Sequence, residues 1–481
     1  MKTHEAAPNS PLLTVALLSA SVFVASLAIA LIGGNLGWDS RPFANDYGWL
    51  SGIFSFLSGF TFLRGYRNPE WDAFSPLRLF YTIWFALLAL GCLRLTTAEL
   101  PFTIRFWVTV ACGLLGFYLG AQRARRGAEK GYRIALGKLR DHWQVNWRPS
   151  RALFVMGFLF VICLFAFVYE YRRAGMLPLL AEDPEWARFH FGANSYVHRF
   201  AISFYLLILL GYIGIVHLRK YRAPFLIMTI LSCAAITLLT ARVFLLSAVW
   251  MAIILFHYGR RRMTPRIALL VVLIAYPLAK VAVDVKRFYE DPTFNQILDK
   301  IDFPEKLRLF APDYLYFSMT LQTLDNLTRL VPGEVHYSYG WYIGYPVRVF
   351  WTPREGEGFR GRLDDLFWER SSEWSPVQAV TTSYMGVPYA DFGIPGVFLF
   401  SCLFGWLSAR VYESLRQQPS FWRSFLYSQI TFAIVLSIYG NYLTLFDLYW
   451  NLAVMGLVHR LAADRSKLPQ EGIAGQAALS S

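Results

Sequence analysis

Charge is scarce in this sequence. Only 16% of its 481 residues are Asp, Glu, Lys or Arg, while 56% are hydrophobic. A soluble domain carries roughly 25% charged residues, so an ordinary soluble globule and a disordered chain are both excluded. Cysteine is also sparse. All five (Cys92, Cys112, Cys163, Cys233 and Cys402) lie in apolar stretches, which excludes a disulfide framework and a zinc-ligand spacing. The GxSxG, HExxH and P-loop patterns of common hydrolases and nucleotide-binding proteins are missing. No internal repeat of fixed period is visible.

What is present is a succession of long apolar runs. A bilayer span needs about 20 apolar residues. Twelve candidates meet or approach that length: 11–33, 47–63, 77–93, 101–120, 152–171, 200–216, 224–240, 243–258, 267–283, 394–412, 425–441 and 446–460. The first has too long an apolar core, and no small-residue cleavage site follows it, so it reads as a span rather than a signal peptide. The expected fold is all-α, a polytopic transmembrane helix bundle of about twelve spans. Its parts are a nine-span region over 1–283, a large external segment over 284–393, a three-span region over 394–460 and a tail over 461–481.

Orientation follows from the basic residues. The loop 121–151 alone holds nine Lys and Arg, and such clusters stay in the cytoplasm. Both termini are therefore expected inside. The net charge of +14 then reflects cytoplasmic loops and gives no reason to expect a nucleic-acid partner. Segment 284–393 falls outside, with 16 acidic and eleven basic residues. A loop of that length is either functional or disordered, and its Trp and Tyr content argues against disorder. Asn326-Leu327-Thr328 within it fits a glycosylation sequon.

Channels need polar rings within their spans, and coupled transporters usually need mid-depth carboxylates. Asp and Glu are absent from the middle of every span. Glu170 and Asp447 sit near external ends, and Arg105 is placed to snorkel outward. The polar residues instead gather at the external face. Arg242 occupies the tip of a tight hairpin, in Thr240-Ala241-Arg242-Val243. Arg172, Arg173, Arg188 and Arg199 lie in the loop 172–199, and Arg287, Arg348, Arg354, Arg360 and Arg362 in the large segment. Guanidinium groups bind phosphate bidentately, and external aromatics such as Trp341, Tyr342 and Trp351 suit either sugar faces or an interfacial belt.

Two external titratable residues near the membrane entrance are candidate proton acceptors, His336 and Asp391. Asp391 is equally suited to partner the N-terminal dipole of the span at 394–412. The other external histidines, His190 and His198, have no metal-ligand spacing and read as surface residues. The acidic groups Glu355, Glu357, Asp364 and Asp365 lie in a charged stretch and read as solvated. No metal and no cofactor is expected.

Four stretches carry a family resemblance. They are Gly175-Met176-Leu177-Pro178-Leu179 followed by Ala187-Arg188-Phe189, the hairpin at Arg242, Tyr345-Pro346-Val347-Arg348 through Trp351, and Thr381-Thr382-Ser383-Tyr384-Met385-Gly386 through Asp391-Phe392-Gly393-Ile394-Pro395-Gly396. In this order they resemble the oligosaccharide repeat-unit polymerases, the Wzy-type O-antigen and capsule polymerases of bacterial inner membranes. The resemblance implies an undecaprenyl diphosphate-linked oligosaccharide as substrate and glycosyl transfer onto a new lipid-linked unit. It also implies a chain-length regulator and a flippase in the same membrane. Arg242, Arg188, Arg287, Arg348 and Arg354 would hold the diphosphate, with His336 or Asp391 as base. An O-antigen ligase or another lipid-sugar glycosyltransferase shares the external arginines, and a polysaccharide transporter is the non-enzymatic alternative.

The topology is directly testable. A reporter fused at residue 135 is expected to be active only in a cytoplasmic assay, and one fused at residue 365 only in a periplasmic assay. The reverse pattern would turn the arginine-rich face inward.

Overall fold

The computed structural model describes residues 47–66, 68, 70–128, 133–181, 187, 195–264, 296, 298–348 and 381–464. Among them there are helices and no strands. Helices overlie each expected span within these residues; the candidates 11–33 and 267–283 lie outside the described residues. Among the described residues four helical stretches are long and apolar enough to cross a membrane: Ile104–Ala128, Pro149–Ala174, Val197–Leu218 and Gly386–Gln417. Gly48–Leu63, Pro76–Gly91, Arg222–Leu238 and Val243–Gly259 are apolar but shorter. Large side chains on Pro149–Ala174 face outward, among them Phe154, Phe158 and Phe165. Outward phenylalanines suit lipid, which solvates an apolar surface at no cost while the helix satisfies its own backbone.

The chain divides into two compact units, each assembled from separated stretches. The first comprises 1–136, 263–413 and 433–446. Within it α1 (Gly48–Leu63) packs along α2 (Pro76–Gly91). Two hydroxyls fasten the pair, Ser51 Oγ donating to Ala89 O and Ser58 Oγ to Thr82 O, both at 2.8 Å. Phe80 of α2 stacks on Phe117 of α3 (Ile104–Ala128), with ring centroids 3.7 Å apart. Farther along, α3 meets α10 (Gly386–Gln417) through glycine. A Cβ at Gly120 would fall 1.8 Å from Cys402 O, and one at Gly405 2.1 Å from Phe117 O. Small residues of this kind let two membrane helices bring their backbones together.

One helix of this unit lies in the segment 284–393. Residues 311–333, expected within an external segment, form α9 (Ala311–Gly333), which packs on α2 and α3. Its leucines 315, 321, 324, 327 and 330 are buried, as are Thr320, Thr323, Asp325 and Thr328. The polar residues hid it from a hydropathy reading. Several threonines satisfy themselves on the preceding turn: Thr320 donates to Tyr316 O, Thr323 to Met319 O and Thr328 to Asp325 O. Such back-bonding removes the penalty of burying a hydroxyl. Asp325, fully buried, accepts from the N–H of Thr103 at 3.1 Å and also from its hydroxyl. Arg105 donates to Thr328 O at 2.6 Å. Asn326-Leu327-Thr328 lies mid-helix with Thr328 fully buried, so it is no surface acceptor. Near the start of α9, the Tyr314 hydroxyl donates to the carboxylate of Glu99 at 2.8 Å, and burial pushes the Glu99 carboxyl above its ordinary pKa.

The second unit comprises 137–262, 414–432 and 447–481. Its helices are α4 (Pro149–Ala174), α5 (Ser195–Ile202), α6 (Phe204–Ile213), α7 (Arg222–Leu238) and α8 (Arg242–Gly259). Most of α11 (Phe421–Leu436) and α12 (Phe446–Ala462) belongs here too. The core runs through Met156, Tyr205, Leu206, Phe225, Met251 and Phe425. A buried polar chain crosses it: the Tyr205 hydroxyl donates to Asn451, whose amide donates to Gln429 Oε1 at 3.2 Å. In an apolar medium these groups must satisfy one another.

The glycine contact generates a test. Gly405→Ala is expected to lower stability by about 2 kcal/mol or more, because the methyl group meets backbone that cannot yield. Gly157→Ala on α4, where nothing lies within 4 Å, is expected to be neutral or slightly stabilising. Thermal unfolding in detergent, followed by the loss of the monodisperse peak, checks both.

Candidate functional site

In the first unit the site is built on a broken helix. The leading turns of α10 run from Gly386 to a break at Gly393, whose φ of +66° and ψ of −152° no other residue adopts easily. The ring of Tyr337 fills the space above it: a Cβ there would fall 2.7 Å from Tyr337 Oη. Two residues earlier, the buried Asp391 accepts the N–H of Ile343 at 2.7 Å, the N–H of Tyr342 at 3.1 Å, and the hydroxyl of Ser338. Backbone bonds add to the seam, Ser338 N–H to Ala390 O at 3.0 Å and Tyr339 N–H to Asp391 O at 3.1 Å. The loop 336–344 is thereby pinned to the start of α10. Tyr389, one turn away, donates toward Thr328 O and Val331 O at the end of α9.

This geometry assigns different duties to the two candidate bases. The carboxylate of Asp391 is committed to loop N–H groups and holds the loop in place. His336 stands exposed where the loop leaves α9. On the same loop Tyr339 is 76% and Trp341 36% exposed, so a rigid loop presents aromatic faces outward. The one-turn helix Tyr345–Arg348 continues it. The side chain of Arg348, and the whole of Arg354 and of Glu355, Glu357, Asp364 and Asp365, lie outside the described residues.

The second unit gathers other predicted motifs. Helix α4 stops at Gly175, which caps it in the left-handed region (φ +72°) with its N–H on Tyr171 O at 2.9 Å. The turn Pro178–Leu180 then packs on α7. Arg242 opens α8 directly after the bend at Thr240 and Ala241; its side chain lies outside the described residues, as do Arg188 and Arg287. Near the end of α4, Glu170 is 1% exposed and places Oε2 2.9 Å from Nδ1 of His198 on α5. The adjacent Arg199 forms an ion pair with Asp447. Sequence reasoning took His198 for a surface residue, because its partner lies 28 positions away. The available signal was a carboxylate at the end of an apolar run, where a partner is needed.

No group of three or more His, Cys, Asp or Glu side chains suited to a metal occurs among the described residues. Comparisons with protein-family models, with curated proteins and with solved structures find no match to this chain.

The role of Asp391 as loop anchor is testable. Asp391→Ala removes an acceptor for two N–H groups and a hydroxyl, hydrogen bonds to a charged group worth about 1.5–3 kcal/mol each. The expected result is a lower melting temperature and new protease cleavage between residues 336 and 344. Unchanged cleavage would mean that the loop is held by something else.

Proposed function

We propose that the protein is a membrane glycosyltransferase that polymerises lipid-linked oligosaccharide repeat units at the external face of a bacterial inner membrane. In this reading it has about twelve spans and both termini in the cytoplasm. The observation that carries the reading is the pinned loop 336–344, which offers two aromatic faces, Tyr339 and Trp341, on a support that does not need ordering by substrate. Aromatic faces suit sugars, and a preorganised loop lowers the entropy cost of binding. The scarcity of carboxylates at mid-span supports chemistry at a face over passage through the membrane.

The donor is a glycan on a lipid diphosphate, and the acceptor is a hydroxyl of a new lipid-linked unit. The acceptor oxygen bonds to the anomeric carbon as the bond to the diphosphate breaks, and the electron pair leaves with the phosphate oxygen. External arginines, Arg242 foremost and with it Arg188, Arg287, Arg348 and Arg354, stabilise the charge that develops there. A protein base accepts the hydroxyl proton. Of the two residues nominated by sequence, Asp391 spends its carboxylate on holding the loop, and His336 stands exposed at the loop's start.

Loss of the gene is expected to leave lipid-linked single repeat units in place of polymer. Accumulation of long unattached polymer would indicate a ligase instead, and an unchanged pool a transporter. Arg242→Ala is expected to abolish polymer at near-normal protein level, and Arg242→Lys to restore it only in part, since lysine lacks the planar fork. Wild-type chain length in Arg242→Ala would remove the diphosphate role of this residue.

A further inference from the structure

The Glu170–His198 pair is not used by the reaction as set out above. Glu170 lies in the last turns of α4 and is 1% exposed, yet it is a carboxylate in an apolar wall. One oxygen meets Nδ1 of His198 at 2.9 Å; the other, Oε1, is buried with no hydrogen-bond partner among the described residues. A buried carboxylate held by one contact is costly, and that contact determines how the imidazole sits. With the proton on Nδ1 facing Glu170, the Nε2 lone pair points from the opposite edge of the ring. The His198 side chain is 24% exposed, so part of it lies open to approach. His336 differs in both respects: it is exposed, and among the described residues no side chain orients it. His198 also belongs to the same unit as Arg242 and the Gly175–Leu179 turn, whereas His336 and Asp391 belong to the other.

We infer that His198, oriented by Glu170, is the proton acceptor for the sugar hydroxyl. This rests on the glycosyl-transfer reading above and names the base within it. As the acceptor oxygen bonds to the anomeric carbon and the carbon–oxygen bond to the diphosphate breaks, the hydroxyl proton moves to Nε2 of His198. The resulting imidazolium is held against the Glu170 carboxylate. Glu170 touches no substrate and is a positioning residue, the arrangement that lets a carboxylate-oriented histidine act as base in acyl-transfer chemistry. The charged neighbours are compatible with an anionic substrate: Arg172 and Arg173 are exposed on the last turn of α4, and Arg199 is paired with Asp447.

The test uses the full-length protein reconstituted with lipid-linked repeat units. His198→Ala is expected to lower turnover about a hundredfold or more, with protein level and acceptor KM retained, and added imidazole is expected to restore part of the lost kcat. Glu170→Gln is expected to lower kcat about tenfold with KM unchanged. His336→Gln is the comparison and is expected to retain most of its turnover. Wild-type turnover in His198→Ala, or a hundredfold loss in His336→Gln alone, overturns the assignment. So does a loss in His198→Ala that follows protein abundance and does not respond to imidazole; if that variant does not fold, an unchanged kcat in Glu170→Gln overturns it. Failure of the wild-type protein to make polymer from these units would instead reject the polymerase reading itself, and the base assignment with it.

Discussion

The first unit depends on a single buried carboxylate. Asp325 has no exposure and accepts both the N–H and the hydroxyl of Thr103, at the point where the chain enters α3. Charge removed from water is tolerated only where hydrogen bonds replace hydration, so this contact sets where α9 can lie against α3. Everything downstream inherits the register. Thr328, one turn later, offers its carbonyl to Arg105 and Tyr389, and the end of α9 is thereby placed next to the start of α10. There Asp391 holds the residues 338–343 that follow α9, through two N–H groups and a hydroxyl.

The same logic recurs at many of the buried polar groups among the described residues. Hydroxyls bond to the preceding helical turn, Asn451 and Gln429 bond to each other, and Trp143 and Trp450 donate to Ser424 and Ser203. Glycine serves where helix backbone meets helix backbone, at Gly120 and Gly405, and where φ is positive, at Gly175 and Gly393. A protein whose outer surface is apolar cannot leave such groups to water, so its polar residues are concentrated in internal pairs. Glu170 is one buried group that stands apart, with one oxygen satisfied and the other without a hydrogen-bond partner among the described residues. A half-satisfied buried carboxylate next to a reachable histidine is the arrangement expected where specificity of position matters more than stability.

Much of this was legible in the sequence. Composition and run length were enough for the helical, membrane-type fold, because a bilayer imposes a minimum apolar length that any reader can measure. The basic loop at 121–151 and the breaker at Gly175 were equally plain, since both act through local chemistry. The hairpin at Arg242 was visible as two apolar runs with almost nothing between them. The tertiary structure decided what depends on partners distant in the chain. Helix α9 was invisible because its threonines and Asp325 lower its hydropathy, and only packing shows that those groups are satisfied. Arg105 looked free to reach water until Thr328, 223 positions away, supplied an acceptor. That Asp391 holds a loop was not visible until the loop folded onto it, and His198 looked like a surface residue until Glu170 was brought beside it. Run length and local charge act over a few residues and are written in order along the chain; the satisfaction of a buried polar group is a pairwise event, set by which helices come together.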